Sequence, residues 1–179
     1  KSDKSLGVIA LTLFDLRQKG VVNEISLAGK NGERFSAIRE HFSKNINAFY
    51  PDLESSFHAY PKEAEQNPTA YIEAIKRLKK GSAVLIFTPD DTHFVIAKTA
   101  LEADMHVLIA KPLVKTTAEH LALQAIAKKR NLLCMLEVHK RFDPIYEDAV
   151  DQIRSFGDFS YFNSYMSQPK SQLDTFKAW

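Results

Sequence analysis

Cysteine is almost missing from this chain. Cys134 is the only one, which excludes a disulfide framework and any cysteine-based metal site. It lies in the apolar run Leu132-Leu133-Cys134-Met135-Leu136, where nothing nearby would lower a thiol pKa, so it is expected to be structural rather than nucleophilic. A surplus of charge of one sign is missing too. The formal net charge is +2 with both signs interspersed, which leaves no electrostatic footprint for nucleic acid or an anionic membrane surface. The two densest basic runs, residues 76–80 and 128–130, close helical patterns, where positive charge complements the helix dipole. No apolar run approaches the ~20 residues that span a bilayer, and no signal peptide is visible. Composition therefore points to a cytoplasmic protein in a reducing compartment, with no nucleic-acid or membrane partner.

What is present is an alternation of apolar patterns, in 179 residues, enough for one α/β domain and the start of a second. Residues 6–20 read as a buried helix ended by Gly20. Residues 24–29 read as a short strand, followed by the polar loop Lys30-Asn31-Gly32-Glu33. Phe35, Ile38 and Phe42 recur at helical spacing over residues 34–44. Residues 45–65 are irregular, and Tyr50-Pro51 and Tyr60-Pro61 argue there for extended or looping chain.

After Gly81 the pattern sharpens. Residues 83–87, 106–110 and 132–138 are continuous apolar runs, expected as strands buried on both faces of a parallel sheet. Helical patterns at 92–103 and 116–130 separate them, and Thr116 with Glu119 has the spacing of a capping box. Strand–helix alternation with short loops predicts right-handed crossovers and an open, doubly wound parallel sheet, an α/β fold. From Pro144 the character changes to a connecting helix, then to Phe159, Tyr161, Asn163 and Tyr165 alternating with polar or small neighbours, expected as the entry strand of a second domain.

Ligands of an open parallel sheet bind beyond the carboxyl ends of its strands. Three loops leave such ends, at residues 88–93, 111–117 and 139–144. Asp90 or Asp91 either caps the following helix or contacts a ligand. His93 either faces the crevice or sits on the helix surface. Lys111 stands between an apolar strand and Pro112, which permits a cis peptide that would turn the lysine into the crevice. Partial burial there would favour its neutral form and make it a usable proton donor, the alternative being a surface-turn lysine. The basic residues His139, Lys140 and Arg141, within His139-Lys140-Arg141-Phe142-Asp143-Pro144, suit a phosphate, a carboxamide or a sugar hydroxyl, or else pair with Asp143 and Glu147. Lys30 and Arg34 follow the first visible strand, where no carboxylate occurs before Glu33, and this favours a 2′-phosphorylated dinucleotide, NADP, over NAD.

Three segments together resemble a known family. Thr88, Pro89, Asp90 and His93 match a Thr-Pro-Asn/Asp-x-x-His segment, and residues 104–112 match Gly-x-His-Val-Leu-x-Glu-Lys-Pro. Arg141, Phe142, Asp143 and Pro144 match Arg-Phe-x-Pro. In this order and spacing they are similar to the glucose–fructose oxidoreductase, inositol dehydrogenase and rhizopine-catabolism proteins (Gfo/Idh/MocA). The resemblance implies an NAD(P)-binding Rossmann domain over residues 1–142, with its first strand missing, and the start of a substrate and oligomerisation domain over 143–179. It implies hydride transfer between nicotinamide and a sugar, sugar derivative or polyol, in a homo-oligomer. Lys111 would be catalytic and would also touch the nicotinamide ribose. Gly7, Lys30, Thr88, Pro89, Asp90, His93, Pro112 and Arg141 would complete the cofactor set. The family's Asp-x-x-x-His acid/base pair does not follow Arg141 here. Two departures stand out: Ala110 replaces the glutamate beside the lysine, and Ser2 and Lys4 occupy glycine positions ahead of Gly7. The latter reads as missing residues or as an atypical phosphate loop that uses Ser2, Lys4 and Ser5. A non-catalytic NAD(P)-binding regulator on the same scaffold is the alternative function, and an unrelated phosphosugar binder the third.

Overall fold

The computed structural model describes residues 8–167 and Lys170, so Gly7 and the loop ahead of it lie outside the described residues. Two compact units result, one ending at Glu137 and one beginning at Val138.

The first unit contains two parallel sheets. In the smaller, β1 (Ser26–Ala28) pairs with β2 (His58–Tyr60), Ser26 opposite His58 and Ala28 opposite Tyr60. Its core lies under α1 (Val8–Gln18) and α2 (Arg34–Phe42). Phe14 of α1 meets Phe42 of α2 edge to face, ring centroids 5.4 Å apart, a geometry that aromatic quadrupoles favour. The helical pattern ends in a π-helical turn, Ser43–Asn47, which carries Ile46 into the same core. Asn47 then fastens the following loop, donating to the Leu53 carbonyl at 2.6 Å and accepting from the Ser55 hydroxyl at 2.7 Å. The irregular stretch thus hides a strand. β2 is three residues long, between polar serines and Pro61, so no apolar run announces it.

The larger sheet runs β3 (Ala83–Ile86), β4 (His106–Ile109), β5 (Cys134–Leu136), all parallel. The expected connections are helical: α4 (His93–Glu102) joins β3 to β4, and α5 (Thr117–Arg130) joins β4 to β5. Ile86, Val107 and Ile109 pack with Ala97, Ala100 and Leu101 of α4 and with Leu123 of α5. Burying a side chain such as Leu123 stabilises the fold by about 2 kcal/mol. Between the sheets in sequence, α3 (Ala70–Arg77) packs against β1 and β2 and sends Ile75 into the larger core.

The capping box at the start of α5 is formed. The Thr116 side chain accepts from the Glu119 N–H at 3.2 Å, and the Glu119 carboxylate accepts from the Thr116 N–H at 3.1 Å. At the opposite edge of the sheet Asp104 adopts φ +63°, a left-handed conformation that aspartate tolerates better than most residues. Hydrogen bonds from Lys80 and Arg130 hold its carboxyl below the usual carboxylate range and tie the approach to β4 to the end of α5.

Burial on both faces, expected for all three strands, holds for the middle one only in part and fails for β5, where Met135 and Leu136 are exposed. Among the described residues β5 is an edge strand of this sheet, as is β3, whose Ala83 is exposed. Burial pushes the Cys134 thiol up, away from the thiolate form that a nucleophile needs.

In the second unit a 3₁₀ turn (His139–Phe142) leads into α6 (Pro144–Phe156). Asp143 caps this helix by accepting from the Ile145 N–H at 3.2 Å, with Pro144 in the first turn. The alternating stretch after Gly157 is not a strand among the described residues, contrary to the sequence pattern. An isolated strand buries nothing, and among the described residues Phe159 and Tyr161 are exposed and pair with no sheet.

Candidate active site at the strand ends

Parallel strands bring the loops after β3 and β4 to one edge. The first is a tight turn. Thr88 and Pro89 lead into a 3₁₀ turn, Asp90–Thr92, and the Thr92 hydroxyl lies 2.7 Å from both the Thr88 hydroxyl and the Pro89 carbonyl. Asp90 and Asp91 make no side-chain hydrogen bond or ion pair among the described residues, so the capping alternative is not realised and both carboxylates stay available.

The second loop begins at Lys111. The Lys111–Pro112 peptide is cis. The lysine, however, is exposed and not partly buried, and it has already passed the last paired residue of β4. It has no ion-pair partner among the described residues. The far end of this loop is held by Glu119, whose carboxylate accepts from the Lys115 and Thr116 amides at 3.2 and 3.1 Å.

His93 joins the two loops. Its ring is fully buried, with Nδ1 2.9 Å from the Pro112 carbonyl and Nε2 2.9 Å from the Thr88 carbonyl. The choice between crevice and helix surface is therefore resolved in a third way: the ring lies behind the edge, spent on the backbone of both loops.

A parallel arrangement closes the smaller sheet. The Gly32 N–H donates to the Glu65 carbonyl at 2.8 Å, and the Asn67 N–H to the Lys30 carbonyl at 2.9 Å. These bonds staple the loop after β1 to the loop after β2. Gly32 is buried at the crossing. Lys30 and Arg34 project from the stapled loop, exposed and without ion partners among the described residues, while the Glu33 carboxylate accepts from the Asn31 side chain at 3.3 Å. Arg141 belongs to the second unit, where it is exposed in the 3₁₀ turn and pairs with neither Asp143 nor Glu147, while its neighbour Lys140 pairs with Asp143 at 3.7 Å.

The structure thus brings Thr88, Pro89, Asp90, Lys111 and Pro112 to one edge, with His93 beneath them. Thr92 and Gly32, which set the shapes of these loops, were not singled out from sequence. A threonine four residues after Thr88 and an Asn-Gly pair after a strand were the available signals.

Comparison with known proteins decides the family. Residues 26–138 match the Gfo/Idh/MocA family model, described as an oxidoreductase family with an NAD-binding Rossmann fold. The chain belongs to this family. Among curated relatives, the UDP-N-acetylglucosamine 3-dehydrogenase of Acidithiobacillus ferrooxidans is 34% identical over 77% of this chain and 41% of its own length. The scyllo-inositol 2-dehydrogenase (NAD(+)) of Bacillus subtilis is 34% identical over 40% of this chain and 21% of its own. The crystal structure of the Acidithiobacillus enzyme superposes with a TM-score of 0.53 at 25% identity, covering 81% of this chain and 39% of that one. The chain spans about two-fifths of the length of the curated relatives it matches over most of its own. Among the described residues no helix is long and apolar enough to cross a membrane.

Proposed function

We propose that this chain is the cofactor-binding part of an NADP-preferring dehydrogenase that acts on a hydroxyl of a sugar, nucleotide-linked sugar or cyclic polyol, with Lys111 as its catalytic lysine. The observation that carries this reading is the single sheet edge on which the Thr88–Asp90 turn and the Lys111–Pro112 loop are locked together through His93. Relatives named as dehydrogenases of UDP-N-acetylglucosamine, levoglucosan and scyllo-inositol support the substrate class. Residues 143–179 are proposed as the entry to the substrate domain.

The residues present fit a nicotinamide dinucleotide. Asp90 offers an unspent carboxylate where such a ligand meets a parallel sheet, beside the Thr88 hydroxyl, which is shared with Thr92. Lys30 and Arg34 offer two unpaired cations where a 2′-phosphate falls, and the nearest carboxylate, Glu33, is engaged with Asn31. When bound, the cofactor supplies a hydride acceptor or donor at the nicotinamide ring. Lys111 serves the substrate oxygen: it donates a hydrogen bond and holds the proton that the oxygen gains or loses as carbonyl and hydroxyl interconvert.

Titration of the full-length protein with NADPH and NADH tests the cofactor assignment. Charge-assisted hydrogen bonds to a phosphate are worth about 1.5–3 kcal/mol each, so NADPH is expected to bind roughly tenfold or more tightly. Charge reversal by Lys30→Glu and Arg34→Glu is expected to erase that preference. Tighter binding of NADH to the unaltered protein overturns the NADP assignment.

A further inference from the structure

We infer that His93 is a positioning residue: a two-carbonyl clamp that sets the Lys111 loop against the Thr88 turn. The inference rests on the proposal that these loops line the nicotinamide site and deepens it by assigning a residue that touches neither cofactor nor substrate. Both ring nitrogens face carbonyl oxygens at 2.9 Å, and a carbonyl oxygen only accepts. Whichever nitrogen carries the proton, the ring donates to one of these carbonyls and lies against the other, so it bridges the two loops.

Sequence separation gives the clamp its leverage. Thr88 lies five residues before His93, and Pro112 nineteen after it. The ring therefore ties the exit of β3 to the exit of β4 from the first residue of the helix between them. Beyond β4, among the described residues, the other backbone or capping bonds on the second loop lie at its far end, at Lys115 and Thr116. The ring is fully buried, so a variant that cannot donate leaves a carbonyl short of the bond it accepts in the unaltered protein.

The test separates the clamp from the cofactor reading. Amide hydrogen exchange is followed in the full-length protein and in His93→Gln, alongside NADPH affinity. A Leu123→Ala variant, destabilised within α5, serves as a control for general loosening. Exchange at residues 88–92 and 113–116 is expected to speed up together by about tenfold in His93→Gln, and NADPH affinity to fall by a similar factor. The control is expected to keep its NADPH affinity within about twofold, since its cavity lies in the core. Unchanged exchange in either loop of His93→Gln overturns the clamp whatever the cofactor does. Failure of the unaltered protein to bind NADPH or NADH sinks the functional reading and leaves the exchange result to decide the clamp.

Should His93→Gln not fold, the unaltered protein still answers. With its six histidines labelled with ¹⁵N at the ring, one ring is expected to show an N–H proton that exchanges slowly with solvent. A spectrum in which no ring N–H is protected from exchange overturns the clamp.

Discussion

Lys111→Ala is expected to lower kcat of the full-length protein by about 10²–10⁴-fold, the range for losing one positioned proton-transfer group. Thermal stability is expected to stay near that of the unaltered protein. The basis is its placement: Lys111 is exposed and unpaired among the described residues, so no fold-supporting contact leaves with it. Surface substitutions of this kind usually change stability by no more than about 0.5 kcal/mol. Steady-state kinetics with calorimetric melting separates the two effects. A fall in kcat without a rise in KM would mark an interaction made in the transition state. Lys111→Arg is expected to recover little, because a guanidinium keeps its proton and presents a wider, planar fork to the substrate oxygen. Full turnover in Lys111→Ala would remove the lysine from the mechanism.

Gly32→Ala is expected to be the most damaging single methyl in the first unit. A Cβ at this position would fall on the Lys62 carbonyl oxygen, with the Lys62 carbonyl carbon 2.9 Å away and the Glu65 carbonyl oxygen 3.1 Å away. All three are backbone atoms that no side-chain rotation moves aside. The loops after β1 and β2 must separate, and the Gly32-to-Glu65 hydrogen bond goes with them. Overpacking of this sort costs about 1–3 kcal/mol, and a buried amide left unpaired adds about 1–3 kcal/mol more. Because Lys30 stands on the same stapled loop, weaker NADPH binding is expected to accompany the lower melting temperature. Denaturant unfolding with a parallel NADPH titration measures both. A variant as stable as the unaltered protein would show that the two loops are free to part.

The parallel α/β half was legible because residues 83–136 state their periods plainly: apolar runs for strands, helical spacing between them, and the Thr116–Glu119 cap. β2 was not, since three residues beside a proline carry too little pattern and are strand only because β1 lies alongside. The exposure of Met135 and Leu136 was hidden for a related reason, as an apolar run does not reveal which strand is outermost. At the site, composition and order pointed to Lys111 and the Thr88 turn. The part played by His93 could not be read locally: its two partners lie on opposite sides of it in sequence and present only backbone oxygens, which no residue type encodes. Ala110, where the resemblance sets a glutamate, is half-buried, and its N–H donates to the Ile86 carbonyl at 2.9 Å, so its backbone extends the sheet whatever the side chain.

The central claim is hydride transfer at this sheet edge, and one measurement reaches it directly. The full-length protein is incubated with NADP⁺ or NAD⁺ and a panel of UDP-linked sugars, inositols and anhydrosugars, and reduced nicotinamide is followed by absorbance. The account predicts saturable reduction with at least one member of the panel, faster with NADP⁺ at limiting concentration. A protein that binds the cofactor yet reduces none of it across the panel would contradict the account and favour a nucleotide-sensing regulator on the same scaffold.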